Sequence, residues 1–131
     1  LESPVDSSQL QNSKFNKATK DAFKQLSMAT RNIPWVMLSS GMSKKSFLNC
    51  LKLAYKNGAS GYLAGRTIWL DAFKDYPNYK KITAKLSNES ARYVKKLNEL
   101  TNKNAQSLEK YLTEKLIQKN SSNFKNIYKG F

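Results

Sequence analysis

Trp35-Val36-Met37-Leu38-Ser39-Ser40-Gly41 is the stretch on which the reading of this chain turns. Four apolar residues in a row, with Pro34 before them and Ser-Ser-Gly after, suit a short strand buried on both faces, as in a parallel sheet. Pro34 also biases Ile33 away from the helical region, so any helix upstream has to end before it. Just past the glycine, Ser43 is a good N-cap. Phe47, Cys50, Leu51 and Ala54 then fall on one side of a second helix. Gly58 supplies the left-handed stop, with Lys56 at the favourable C-terminal end. A second strand is expected in Gly61-Tyr62-Leu63-Ala64-Gly65-Arg66, again ending in a glycine and here in a cation. Ile68, Trp69, Ala72 and Phe73 mark the helix after it, and Tyr76-Pro77-Asn78 breaks that helix.

Upstream, residues 1–12 read as an extended entry and a polar loop. Pro4 keeps Ser3 out of the helical region, which makes Leu1-Glu2-Ser3 a candidate strand tail. A helix is expected from about Ser13 to near Thr30, with Phe15, Ala18, Ala22, Leu26 and Ala29 on one face. The resulting order of helix, strand, helix, strand, helix, joined by short loops, is the pattern of right-handed βαβ units around a parallel sheet. From Tyr79 the character changes. Twelve cations face four acids there, and Val94, Leu97, Leu100, Leu108, Tyr111, Leu112 and Leu116 form the stripe of long amphipathic helices. Asn120-Ser121-Ser122-Asn123 reads as a loop before an aromatic tail. A division into a βα part at residues 1–78 and basic helices at residues 79–131 follows.

With 131 residues, the chain is the size of one domain. No apolar run approaches the ~18 residues of a membrane span. The start, Leu1-Glu2-Ser3-Pro4, has neither a basic nor an apolar leader region, and it lacks an initiator Met, as a partial chain would. The one cysteine, Cys50, and the absence of histidine leave no internal disulfide, no Cys/His pair and no zinc ligand set. A reducing, cytoplasmic setting is expected, and any acid–base chemistry falls to Lys, Glu, Asp or Tyr. The net charge of +14 admits a phosphate-bearing partner. Nucleic acid is the weaker reading, because Lys far outnumbers Arg and the forked contacts of base and phosphate recognition favour Arg.

The residues that could carry chemistry sit at the two strand ends. Ser39, Ser40 and Gly41 close the first strand, and Gly65 and Arg66 the second. A hydroxyl, glycine N–H groups and a guanidinium fork suit a phosphoryl group. Against this stands the plain reading that the glycines only turn the chain and Arg66 is a solvated charge. Glu2, beside a proline at a possible strand end, is a candidate active-site carboxylate, although a terminal Glu is more often solvated. Cys50, at helical spacing with Phe47 and Leu51, reads as core rather than as a nucleophile. Trp35 and Trp69 read as packing residues.

Asn32-Ile33-Pro34-Trp35-Val36-Met37-Leu38-Ser39-Ser40-Gly41 resembles the seventh strand and turn of the tagatose-1,6-bisphosphate aldolase family, to which sulfofructose-phosphate aldolases are related. Gly58-Ala59-Ser60-Gly61-Tyr62-Leu63-Ala64-Gly65-Arg66-Thr67-Ile68-Trp69 is similar to its eighth strand, and residues 93–111 to its final helix. The resemblance covers most of residues 1–112. It implies the C-terminal part of a (β/α)8 barrel, containing the end of strand 6, strands 7 and 8 and their helices. It also implies that Ser39, Ser40, Gly41, Gly65 and Arg66 hold a phosphate of a phosphorylated ketose, with Glu2 near the chemistry. The family's reaction, a retro-aldol cleavage through a lysine Schiff base, needs no metal or cofactor. By the resemblance that lysine would fall immediately before Leu1. Ser40 replaces the usual Ala. This chain alone is therefore expected to be inactive, with the remainder of the barrel or another subunit as its partner. Two alternatives are an aldolase remnant without activity and a basic helical module for nucleic acid or an acidic partner.

Overall fold

The computed structural model describes residues 1–30 and 33–110. Asn32, the stripe residues Tyr111, Leu112 and Leu116, and the expected loop at Asn120-Ser121-Ser122-Asn123 lie outside the described residues. The elements run α1 (Lys17–Ala29), β1 (Val36–Leu38), α2 (Lys44–Lys56), β2 (Gly61–Leu63), α3 (Arg66–Phe73), α4 (Tyr79–Lys85) and α5 (Ala91–Asn104). A π-type turn, Leu86–Ser90, joins α4 to α5, and short 3-10 turns lie at Ser7–Leu10 and Leu108–Lys110. The chain is thus α/β, with β1 and β2 pairing in parallel and Met37 opposite Tyr62.

Leu1 adds to the sheet on the far side of β1. Its amino group donates to Val36 O at 2.7 Å, and Leu38 N–H donates to Leu1 O at 2.8 Å. Those two bonds bracket Met37 as a third parallel strand would, in keeping with a strand tail at residues 1–3.

Local chemistry explains most boundaries. Ser43 Oγ accepts from Ser46 N–H at 3.1 Å and caps α2. Gly58 takes a φ of +88° after that helix, a conformation cheap only for glycine. Asn16 Oδ1 accepts from Thr19 N–H at 2.7 Å, so α1 begins later than the expected start at Ser13. Its buried face is only partly the expected one: Phe15 and Leu26 pack half-buried against the core, but Thr19 and Phe23 are the fully buried residues, and Ala18 and Ala29 are exposed. The hydroxyl of Thr19 is held by Gln9 Oε1 at 3.0 Å, which turns this side of the helix toward the 3-10 turn carrying buried Leu10.

The core lies between the sheet and α1, α2 and α5. Met37, Phe47, Cys50, Leu51, Ala54, Phe23 and Leu97 have no exposed surface, and a fully buried large apolar side chain is worth about 1.5–3 kcal/mol. Tyr62 meets Phe47 edge-on at 6.1 Å. The opposite sheet face is open: Val36 and Leu38 are half-buried and Leu63 is 59% exposed. The expectation of a strand buried on both faces therefore fails, because helices cover one face only. α5 is tied to α2 at both ends, by Tyr93 Oη donating to Lys44 O at 2.9 Å and by the Tyr55–Thr101 hydroxyl pair at 2.7 Å. Trp35 is buried, as expected of a packing residue, but Trp69 is 40% exposed and stacks edge-on against exposed Phe73.

Candidate functional site

Each strand ends in a turn that enters a helix, and the parallel pairing sets the two turns side by side. Ser39 is fixed from both sides: its N–H donates to Leu63 O at 2.9 Å and its carbonyl accepts from Met42 N–H at 2.8 Å. Ser40 and Gly41 between them take left-handed conformations, with φ of 44° and 77°. A serine in that region costs about 1 kcal/mol or more, and such strain persists only where the surroundings impose it. The turn is anchored here on both sides of Ser40 through Ser39 and Met42, and the Ser40 hydroxyl donates to Glu2 Oε1 at 3.0 Å.

The second strand departs from expectation at its end. β2 stops at Leu63, and Arg66 is the first residue of α3 rather than the last of a strand, with Gly65 at the cap position. The turn nevertheless delivers the guanidinium to the first loop. A methyl group added at Gly41 would lie 3.7 Å from both Cζ and Nη2 of Arg66. Arg66 is exposed, and among the described residues it has no ion pair or hydrogen bond. The N–H groups of Ser40 and Gly41 likewise have no protein acceptor among the described residues. A methyl at Gly65 would meet Trp69 Nε1 at 3.6 Å, so the indole lies beside the same turn.

Sequence reasoning missed the tie between the loops. The buried Thr67 hydroxyl donates to Met42 O at 2.9 Å, joining the start of α3 to the turn after β1. A β-branched polar residue one place after Arg66 was the available signal. The structure thus brings together Glu2, Ser40, Gly41, Gly65 and Arg66, with buried Ser39 beneath them. Cys50 has no exposed surface. Burial pushes its thiol up to about 11, with a hydrogen bond to Ser3 acting weakly the other way. That is the signature of core, not of a nucleophile. Among the described residues no group of His, Cys, Asp and Glu is placed to hold a metal ion. No helix there is long and apolar enough to cross a membrane.

Paired parallel strands, each followed by a turn and a helix, define a βα-type segment, and the candidate residues lie at the strands' C-terminal ends. The sequence model described as "DeoC/LacD family aldolase" matches residues 8–71, which takes in both turns. The chain is 35% identical over 82 residues to tagatose 1,6-diphosphate aldolase 1 of Streptococcus mutans, covering 60% of this chain and 25% of that protein. It is 41% identical over 56 residues to tagatose 1,6-diphosphate aldolase 2 of Streptococcus agalactiae, covering 41% of this chain and 17% of that protein. Residues 8–71 are accordingly similar to a segment of the DeoC/LacD family aldolases, the resemblance that the strand-end motifs led us to expect. The matches span about a quarter or less of the length of these curated relatives.

Proposed function

We propose that this chain supplies the phosphate-holding part of a class I aldolase acting on a ketose 1,6-bisphosphate such as tagatose 1,6-bisphosphate. In this reading β1 and β2 are strands 7 and 8 of a (β/α)8 barrel and Leu1 ends strand 6. The observation that carries it is the unpaired Arg66 guanidinium against the Gly41 turn. A phosphoryl dianion there accepts from the Arg66 fork, from the N–H groups of Ser40 and Gly41, and from the first N–H groups of α3. Holding the phosphate fixes the ketose carbonyl relative to the attacking amine. That amine forms an iminium, which draws in the electron pair of the breaking carbon–carbon bond, and the aldehyde leaves while an enamine remains. Neither strand nor turn contains a lysine, so in this reading the amine is not supplied by these two strand ends. Glu2, on the rim of the same turn, is the candidate for moving a proton at the reacting carbon or hydroxyl. The bisphosphate partner and a cytoplasmic site of action belong to the same proposal.

The test follows the amide signals of Gly41 and Gly65 while the 131-residue chain is titrated with tagatose 1,6-bisphosphate. Charge-assisted bonds of this kind are worth about 1.5–3 kcal/mol, so Arg66→Ala should weaken binding by roughly tenfold or more and Arg92→Ala should not. Saturable binding that ignores Arg66→Ala, or no binding by the parent chain, would sink the proposal. Borohydride with dihydroxyacetone phosphate should leave no covalent adduct on this chain.

A further inference from the structure

The positive charge is not confined to the helices after Tyr79. Residues 11–60 carry eight lysines and Arg31 against one acid, Asp21. The fold gathers several of these lysines at a cleft of about 490 Å³ on the helix side of the molecule, away from the strand ends. Lys14 and Lys20, beside and within α1, form one rim, and Lys52 and Lys56 of α2 contribute another. Phe15, Leu53 and Leu100 provide an apolar lining. None of the four lysines has an ion pair or hydrogen bond among the described residues. Lys52 and Lys56 stand four apart on one helix face, where like charges repel. An anion in the cleft removes that repulsion.

We propose that this cleft binds an acidic segment of a partner protein that carries an apolar side chain between its carboxylates. The apolar lining separates this partner from a bare polyanion, because carboxylates reach the lysines while an aliphatic or aromatic side chain covers Phe15 and Leu100. Nucleic acid fits less well. Tyr55 is 6% exposed and its hydroxyl is committed to Thr101, which leaves half-buried Phe15 as the one aromatic side chain of the lining with exposed surface for base stacking. The cleft's cations are all lysines, which lack the fork that reads phosphates bidentately. The chain's own residues 111–131 do not suit it, since they carry four lysines against Glu114 alone.

The test is fluorescence anisotropy on the full 131-residue chain with a labelled peptide of Asp and Glu flanking a central Leu-Leu pair. A matched peptide with Ser-Ser at the centre and an oligothymidylate of equal charge are the comparisons. The Leu-Leu peptide should bind about tenfold more tightly than either. Lys20→Glu with Lys52→Glu should weaken it by about tenfold or more, whereas Lys80→Glu with Lys81→Glu, an equal change of charge outside the cleft, should change it less than about threefold. All four lysines are exposed, and circular dichroism of both variants checks that the fold is kept. Equal losses from the two pairs, equal binding of the two peptides, tighter binding of the oligothymidylate, or no binding of the Leu-Leu peptide would each overturn the proposal.

Discussion

Replacing Thr67 by valine should loosen the candidate site through a single atom. The two side chains have the same shape, so the change removes a hydroxyl and leaves Met42 O without its 2.9 Å donor. Thr67 is only 6% exposed, so water has little access to replace the bond. Leaving a buried carbonyl unsatisfied costs about 1–3 kcal/mol. The extra methyl of valine returns part of this, leaving roughly 1–2 kcal/mol. For a chain of 131 residues each kcal/mol shifts the melting temperature by about 4 °C, so a drop of roughly 4–8 °C is expected in circular-dichroism melts. Thr67→Ser keeps the donor and loses a methyl worth about 0.8 kcal/mol; it should melt above Thr67→Val. The same bond joins the start of α3 to the turn after β1. Thr67→Val should therefore also weaken bisphosphate binding, while Thr67→Ser preserves it. A valine variant that melts within about 1 °C of the parent and binds as well would refute the idea that Thr67 holds the two turns in register.

Two further outcomes follow from the geometry. Gly41→Ala should destabilise by roughly 1–2 kcal/mol in urea titrations. Its φ of 77° is strained for any side chain, although the added methyl would sit at ordinary contact distance, 3.7 Å, from Arg66. Cys50 contributes a pH dependence. Its folded value of about 11 lies above the ordinary thiol value of 9.0, so the unfolded chain loses its proton first. The neutral thiol's contribution is thus intact below about pH 9 and is lost as pH rises toward about 11, by roughly 2–3 kcal/mol. Cys50→Ala, less stable at neutral pH, should show a shallower alkaline decline in urea midpoints than the parent; parallel declines would remove the assignment.

How legible the molecule was depended on how strong each local signal was. α2 could be read almost residue by residue, because Ser43 caps it, Gly58 stops it and Phe47, Cys50, Leu51 and Ala54 leave one choice of buried face. α1 could not. Its alanines weigh little, and the face that is buried was decided by Phe23 and by a Thr19–Gln9 bond that no spacing announces. Arg66 was placed at the right turn but in the wrong element, since a glycine followed by a cation suits the end of a strand and the start of a helix equally. The lysine cleft escaped notice for another reason: its members are far apart in sequence, and only packing brings Lys14 and Lys20 near Lys52 and Lys56.

The turn after β1 joins stability to proposed function. Ser39 is committed at both its N–H and its carbonyl, and the Ser40 side chain is taken by Glu2. Thr67 pins the loop from below. Every one of these bonds holds the left-handed pair Ser40-Gly41 in a conformation that the chain would not choose alone. What the bonds leave over, among the described residues, are two amide donors and one guanidinium, all of one polarity, with the guanidinium beside the Gly41 turn. On the function proposed above these donors serve an acceptor, and one able to take them at once is an oxyanion of several oxygens.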